Sequence, residues 1–477
     1  MKAPFSEYLN GIADSLKLLI DDLGKDHSYV SVLATDSRGF RIITSTRIRN
    51  VATQNITTER GIVVRVSQND HYSEYALNAF TAEKWKECAD TIRQSFSEGE
   101  KLLNQCHVNP FKTGILSDEP CTLFYEAETE ELPENCNLEQ VVDMMSCFCK
   151  ETAALDEHIV EAQSSAQSTH VCKMFLSKNR DMRQSYVYTE ATIIPFLSEN
   201  GKNAHGYKGV SGKCGPEIIK ELKKEISDVV AQAKAVIHAE RIVPGEYDII
   251  TSPEVSGLIA HEAFGHGVEM DQFVKHRALG AEYINERVGS DLVTMHEGAT
   301  CCDSVTSYAF DDEGNLADDT IEIENGILKT GISDALSALR LGTKPTGNGK
   351  RQNFEHKVYA RMTNTLFDAG NNTLDEMISS IEHGYLLEGM ESGMEDPKHW
   401  GIQCIISLGR EIKNGKLTGK CVAPIIMTGY VPDILGNVTM ASKDAYVYGN
   451  GFCGKGHKEI VKVADGGPYL KTKGILG

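Results

Sequence analysis

A chain of 477 residues is too long for one ordinary domain; at roughly 100–200 residues per domain it holds two to four. With 41% hydrophobic and 24% charged residues the composition is globular, which excludes wholesale disorder and collagen-like repetition. No run approaches the ~18 apolar residues of a membrane span, and 48 basic against 68 acidic residues leave a net charge of −20, which argues against direct nucleic-acid contact. The thirteen cysteines are scattered, odd in number and accompanied by no secretory signal, so they point to reduced thiols in a cytoplasm.

The first 27 residues predict an amphipathic helix with Phe5, Leu9, Ile12, Leu16 and Ile20 on one stripe. Residues 29–36, 39–56 and 61–67 are rich in β-branched side chains and separated by turn residues, so they predict three strands. A helix is expected over 81–103, where Trp85, Cys88, Ile92 and Phe96 keep helical spacing. The pattern breaks at Asn109-Pro110, placing a boundary near 108. Beyond an acidic loop at 126–134 come a helix over 138–154 and strand-like segments at 159–168, 170–176 and 183–194. A long helix then begins near Pro216 and ends before Val243-Pro244-Gly245. The remainder is glycine-rich and carries two hairpin signals, Asn325-Gly326 and Asn414-Gly415. The expected fold class is α+β in three parts: an N-terminal strand and helix domain (1–108), an α+β middle region ending in the long helix (109–242), and a β-rich C-terminal domain (243–477) that carries a candidate metal-binding helix.

That helix follows Ser252-Pro253-Glu254, a good cap and first turn, and runs into His261-Glu262 and His266. Imidazole suits zinc, and a carboxylate beside a ligand can serve as base. Zinc helices usually place their histidines at i and i+4, whereas here they stand at i and i+5, about 140° apart on a regular helix. For both to face one ion, the helix must widen into a π-type turn or end near Gly265; Gly265 and Gly267 permit such distortion. The competing view is two unrelated histidines at a helix lip. Candidates for a third ligand are His276, His296, Glu269, Glu297 and Cys301-Cys302 nearby, and Cys453 and His457 far away. Adjacent Cys301 and Cys302 cannot easily share one ion and rank below Cys453. Glycines 449, 451, 454 and 456 around Cys453 fit a backbone shaped to present a thiol, or a plain turn.

Further segments join this one: Pro244-Gly245-Glu246-Tyr247 through Asp271, Asp311-Asp312-Glu313-Gly314, Ile323-Glu324-Asn325-Gly326, residues 346–351, residues 361–365 and Phe452-Cys453-Gly454-Lys455. Together with the N-terminal strand beginning Glu59-Arg60-Gly61, they resemble the TldD/PmbA family of zinc metallopeptidases, often labelled modulators of DNA gyrase. The resemblance covers nearly the whole chain and is weakest over 105–210, where Cys136, Cys147 and Cys149 cluster. It implies Zn²⁺ held by His261, His266 and Cys453, with Glu262 as general base, and it implies the catalytic TldD-type subunit, because the sister type lacks the metal motif. Also implied is a cytoplasmic dimer, either a homodimer or a heterodimer with a metal-free sister subunit, that admits a short or unfolded peptide as an added strand. The expected function is zinc-dependent peptide hydrolysis, with no membrane partner. The alternatives are a non-hydrolytic regulatory protein of gyrase-modulator type and a metallohydrolase for another amide. Arg351, Arg361 and Asn364 could orient substrate or serve structure, and His457 is expected beside the site or at the surface.

Overall fold

The computed structural model describes residues 1–54, 57–78 and 80–477. The fold is α+β, and among the described residues two large sheets carry it.

The first sheet is built from β1 (Val30–Ser45), β2 (Arg49–Ala52), β3 (Glu59–Gln68), β4 (His71–Leu77), β5 (Cys121–Glu126), β6 (Ile159–Ser177), β7 (Arg180–Glu199), β8 (Lys202–His205) and β9 (Lys208–Gly212). Its main path runs β4-β3-β1-β6-β7-β5. Alternation along the strands separates two faces. Val30, Val32, Ala34, Phe40 and Ile42 point to one face, where α1 (Glu7–Leu23) and α2 (Trp85–Gln105) cover one end and α3 (Leu138–Ala153) and α4 (Ile226–His238) the other. Leu33, Val171 and Phe175 point the opposite way and pack with Val305, Phe310 and Ala464 of the C-terminal half.

Helix α1 buries Leu9, Ile12, Leu16 and Ile20 as its spacing demands, and Ser6 caps it by accepting the Leu9 N–H. The strands run longer than expected. β1 passes straight through Ser37-Arg38-Gly39, because its ladder with β6 continues from Ser31–Ser177 to Ser45–Gln163. The same long pairing makes β6 and β7 each continuous where two segments and a shorter one were expected. The end of the strand expected over 39–56 falls at Asn55-Ile56, outside the described residues. The long helix also differs, since Pro216–Glu225 is wound as a tighter 3₁₀ helix before α4 begins. No helix among the described residues is long and apolar enough to cross a membrane.

The second sheet spans residues 245–476. Its first strand, β10 (Gly245–Thr251), pairs in parallel with the strand His383–Asp396 and antiparallel with the strand Ala464–Leu476. The path through Gly401–Lys413 and Ile425–Tyr430 leads back to Ala464–Leu476, so five strands close a ring. Both expected hairpins are present: Asn325 and Asn414 hold φ of 48° and 50°, the positive values their turns require.

Ion pairs, each with at least one buried member, tie the first sheet to the C-terminal half and brace its own edge. Arg65 meets Glu74 and Glu313, Lys173 meets Asp312, Lys462 meets Glu190, and Arg351 donates to Glu74 at 3.0 Å. Burial pushes the Glu74 carboxyl up, but Arg351 and Arg65 outweigh it and hold the group at about 2.

Two outcomes follow from this packing. Above an ordinary pKa of 4.5 Glu74 is charged in both folded and unfolded chains, so its pairs contribute fully; as pH falls toward 2 the unfolded chain takes up the proton first and the contribution is lost. The stability advantage of wild type over Glu74→Gln in urea melts should therefore shrink between pH 5 and about 2. The second outcome concerns Gly257, in the helix after β10. A Cβ there would stand 2.5 Å from the Gly466 backbone nitrogen and 2.8 Å from Asp465 Oδ1. Replacing a helical glycine by alanine gains up to ~1 kcal/mol, whereas overpacking against rigid backbone costs about 1–3 kcal/mol. Gly257→Ala should therefore melt lower than wild type, and an unchanged melting temperature would contradict this packing.

Candidate metal centre

The helix α5 (Pro253–Ala260) leaves β10 with Ser252 as its cap and proline in its first turn. All its residues except Glu254 are buried, so it is apolar on every side and lies within the fold against the strand Ala464–Leu476. Residues His261–Gly265 continue it as a π turn, closed by the His266 N–H donating to the His261 carbonyl. The widened turn offsets the 140° divergence expected from the i,i+5 spacing. The two imidazole rings come to 5.1 Å between centroids, at 90° to each other. Phe264, inside the turn, packs edge-on against the fully buried Trp400 at 5.3 Å. Gly265 is needed for contact as well as for winding, because a Cβ there would lie 2.3 Å from Met362 Sδ.

Cys453 arrives from a different element, the short hairpin of Phe452–Lys455 with Glu459–Lys462, which belongs to neither large sheet. Its Sγ lies 3.3 Å from His266 Nε2. Among the described residues, one ring nitrogen from each of His261 and His266 and the Cys453 sulfur all lie within 4.8 Å of one another. Zinc bonds of roughly 2.3 Å to sulfur and 2.0–2.1 Å to nitrogen put tetrahedral ligand atoms about 3.5 Å apart. The donor set therefore suits zinc in kind and in spacing. His261 Nδ1 is buried with no hydrogen-bond partner and lies 3.9 Å from Asp465.

Charge is arranged to favour a thiolate. Burial opposes ionisation of Cys453, but His266 and His261 prevail and pull the thiol well below its ordinary range. Burial likewise disfavours the charged imidazoles, and Cys453 overcomes it, raising both. Behind His266, Glu269 accepts at 3.2 Å from Nδ1, which leaves Nε2 free to face the sulfur. Burial pushes Glu269 up, but Lys455 and His266 hold it at about 2. Lys455 in turn bonds Glu269 at 3.0 Å, Asp271 at 2.7 Å and the Ala360 carbonyl at 3.0 Å.

The other candidates lie elsewhere. Glu269 stands behind His266 rather than in the ligand triangle. Glu297 is buried and accepts from Thr363, Thr365 and Asn348, His296 pairs with Asp319 and Asp368, and His276 and His457 are exposed. Cys301 points its thiol at the Gly298 carbonyl. Arg351, Arg361 and Asn364 are all buried with main-chain or ion-pair partners, so they serve structure at their observed positions. The bonding of Lys455 to Glu269 and the closeness of Asp465 to His261 had no signal in the sequence, because the partners lie far apart along the chain; the Glu269 role was readable three residues after His266.

Glu262 and the three ligand candidates line a cleft of about 820 Å³, with Met390–Glu395 of the strand His383–Asp396 along one wall and His205, which ends β8, and Tyr207 on another.

Residues 244–475 match the model of the PmbA/TldA metallopeptidase C-terminal domain. A metalloprotease of Methanothermobacter thermautotrophicus is 30% identical over 330 residues, covering 68% of this chain and 71% of that protein. This chain belongs to the TldD/PmbA family. Another metalloprotease, from Methanocaldococcus jannaschii, is 32% identical over 275 residues, and the match spans 57% of this chain and 60% of that protein's length. A zinc metalloprotease TldD homologue of Saccharolobus solfataricus is 33% identical over 236 residues, 48% of this chain and 51% of that protein. The TldD/PmbA fold extends over the whole length: the solved structure of TldE from Thermococcus kodakarensis superposes with a TM-score of 0.78 at 16% identity, covering 97% of this chain and 99% of that one.

Proposed function

We propose that this chain is a zinc-dependent peptidase in which His261, His266 and Cys453 hold the metal and Glu262 is the general base. The observation that carries this is the convergence of two imidazoles and a thiol at a π turn, beside a cleft into which an adjacent glutamate projects. Bound there, zinc would polarise an amide carbonyl and acidify a water molecule. Glu262 takes the proton of the attacking water and returns it to the leaving amine nitrogen, so one carboxylate acts as base and then as acid. Glu269 and Lys455 keep His266 turned toward the sulfur.

The wall of residues 390–395 suits an extended peptide bound through its main chain, a mode that tolerates many sequences. The cleft's volume suits a peptide of a few residues. A second subunit, either another copy or a metal-free sister, would close over it in the cytoplasm.

Purified protein should carry one zinc per chain by elemental analysis, and His261→Ala, His266→Ala and Cys453→Ala should each lose it or bind it far more weakly. Full zinc retention in Cys453→Ala would remove the third ligand from this proposal. Glu262→Gln keeps size and hydrogen bonding but cannot accept a proton. It should retain zinc while peptide hydrolysis falls ~10²–10⁴-fold. Wild-type turnover in that variant would place the base elsewhere, and hydrolysis of small amides without peptides would favour the other metallohydrolase.

A further inference from the structure

Among the described residues the hairpin that carries Cys453 pairs only with itself, four residues against four, and an isolated two-stranded hairpin is marginal in water. Something else must fix the sulfur relative to the histidines, and the tethers come largely from one segment. Arg361 is 1% exposed. Its Nη2 donates to the Cys453 carbonyl at 2.6 Å and its Nη1 to the Glu459 carbonyl at 3.2 Å, so one guanidinium spans both strands of the hairpin. Lys350 adds bonds to the carbonyls of Lys462 and Met362 at 2.7 and 3.0 Å. The main chain of Arg361 is itself anchored, its N–H donating to the Asn348 carbonyl at 2.9 Å and its carbonyl accepting from Asn348 Nδ2 at 3.1 Å.

The next residue faces the other half of the site. Met362 Sδ fills the space beside Gly265, inside the π turn between the two histidines. Ile332, Met362, Cys453, Val461 and Val463 then form one small apolar cluster. Consecutive side chains thus touch the turn that carries the imidazoles and the hairpin that carries the thiol.

We infer that Arg361 is a positioning residue for the metal centre: by gripping the Cys453 carbonyl it sets where the thiolate stands relative to His261 and His266. The role calls for arginine. A planar fork can donate to two carbonyls on separate strands at once, whereas an ammonium is a single point charge. Arg361 touches neither the cleft nor the ligand atoms, so its effect on the metal passes through the cysteine's main chain.

This inference rests on the metal site proposed above, and wild-type protein tests that first: if the full chain binds neither zinc nor cobalt(II), the metal proposal fails before any variant is made. Given binding, Arg361→Lys keeps a buried cation but cannot span the hairpin. Zinc affinity measured by chelator competition should fall about 10–100-fold, the usual cost of disturbing the groups that orient ligands. In the cobalt(II)-loaded chain the thiolate-to-metal charge-transfer absorption should weaken or shift while the ligand-field bands persist, and kcat should fall more than KM rises. Arg351→Lys is the control, because Arg351 is also buried and bonded to Glu74 and the His356 carbonyl but does not touch the hairpin. It should melt lower and leave the charge-transfer band unchanged. Wild-type zinc affinity and an unaltered band in Arg361→Lys would overturn the inference, as would equal changes in both variants. A raised KM with unchanged zinc affinity would make Arg361 a substrate contact instead. An Arg361→Lys chain that fails to fold even with zinc, where Arg351→Lys folds, would assign the residue to the fold and equally overturn it.

Discussion

Two imidazoles five residues apart can face one point only if the helix between them takes an extra residue into its turn. Most of the surroundings of His261 serve to keep that wide turn in place. A π turn gives up the regular i→i+4 bonds and is stable only where packing compensates. Here Phe264 lies against Trp400, Met362 fills the space beside Gly265, and α5 is pressed against the strand Ala464–Leu476 closely enough that Gly257 has no room for a methyl group. The ring of five strands supplies a rigid base for these contacts, since β10 is paired on both sides before the helix begins.

Charge inside the molecule is handled in two ways. Between the sheets, cations meet carboxylates directly, as Lys173 meets Asp312 and Lys462 meets Glu190. Around the cysteine hairpin, Lys350 and Arg361 instead bond main-chain carbonyls, converting charge into control of backbone position. Burial, with neighbouring Arg361 adding to it, lowers the Lys350 ammonium to about 7. Such an arrangement persists only when the surrounding structure enforces it.

Much of this was legible in local sequence. The stripe of α1, the two Asn-Gly hairpins and the distortion at His261–Gly265 all follow from spacing or from a turn's need for positive φ. Long-range pairing was not legible. The break expected near Ser37-Arg38-Gly39 is overridden by a ladder with residues more than a hundred positions away, which no local pattern reports. The same limit applies to the centre. Glycines around Cys453 hinted at a shaped backbone, and only resemblance to the TldD/PmbA family tied that thiol to His261 and to His266, the latter 187 positions earlier. Nothing local marks Arg361 as a clamp or Lys455 as the partner of Glu269, because both act across the tertiary structure.

The helix bearing His261 rests on residues 464–476, which also form one side of the five-strand ring. During synthesis, therefore, the nascent chain has exposed both histidines for some two hundred residues before the surface that shapes them exists. The observed packing of the turn that brings the two imidazoles together is complete only once that late strand is in place.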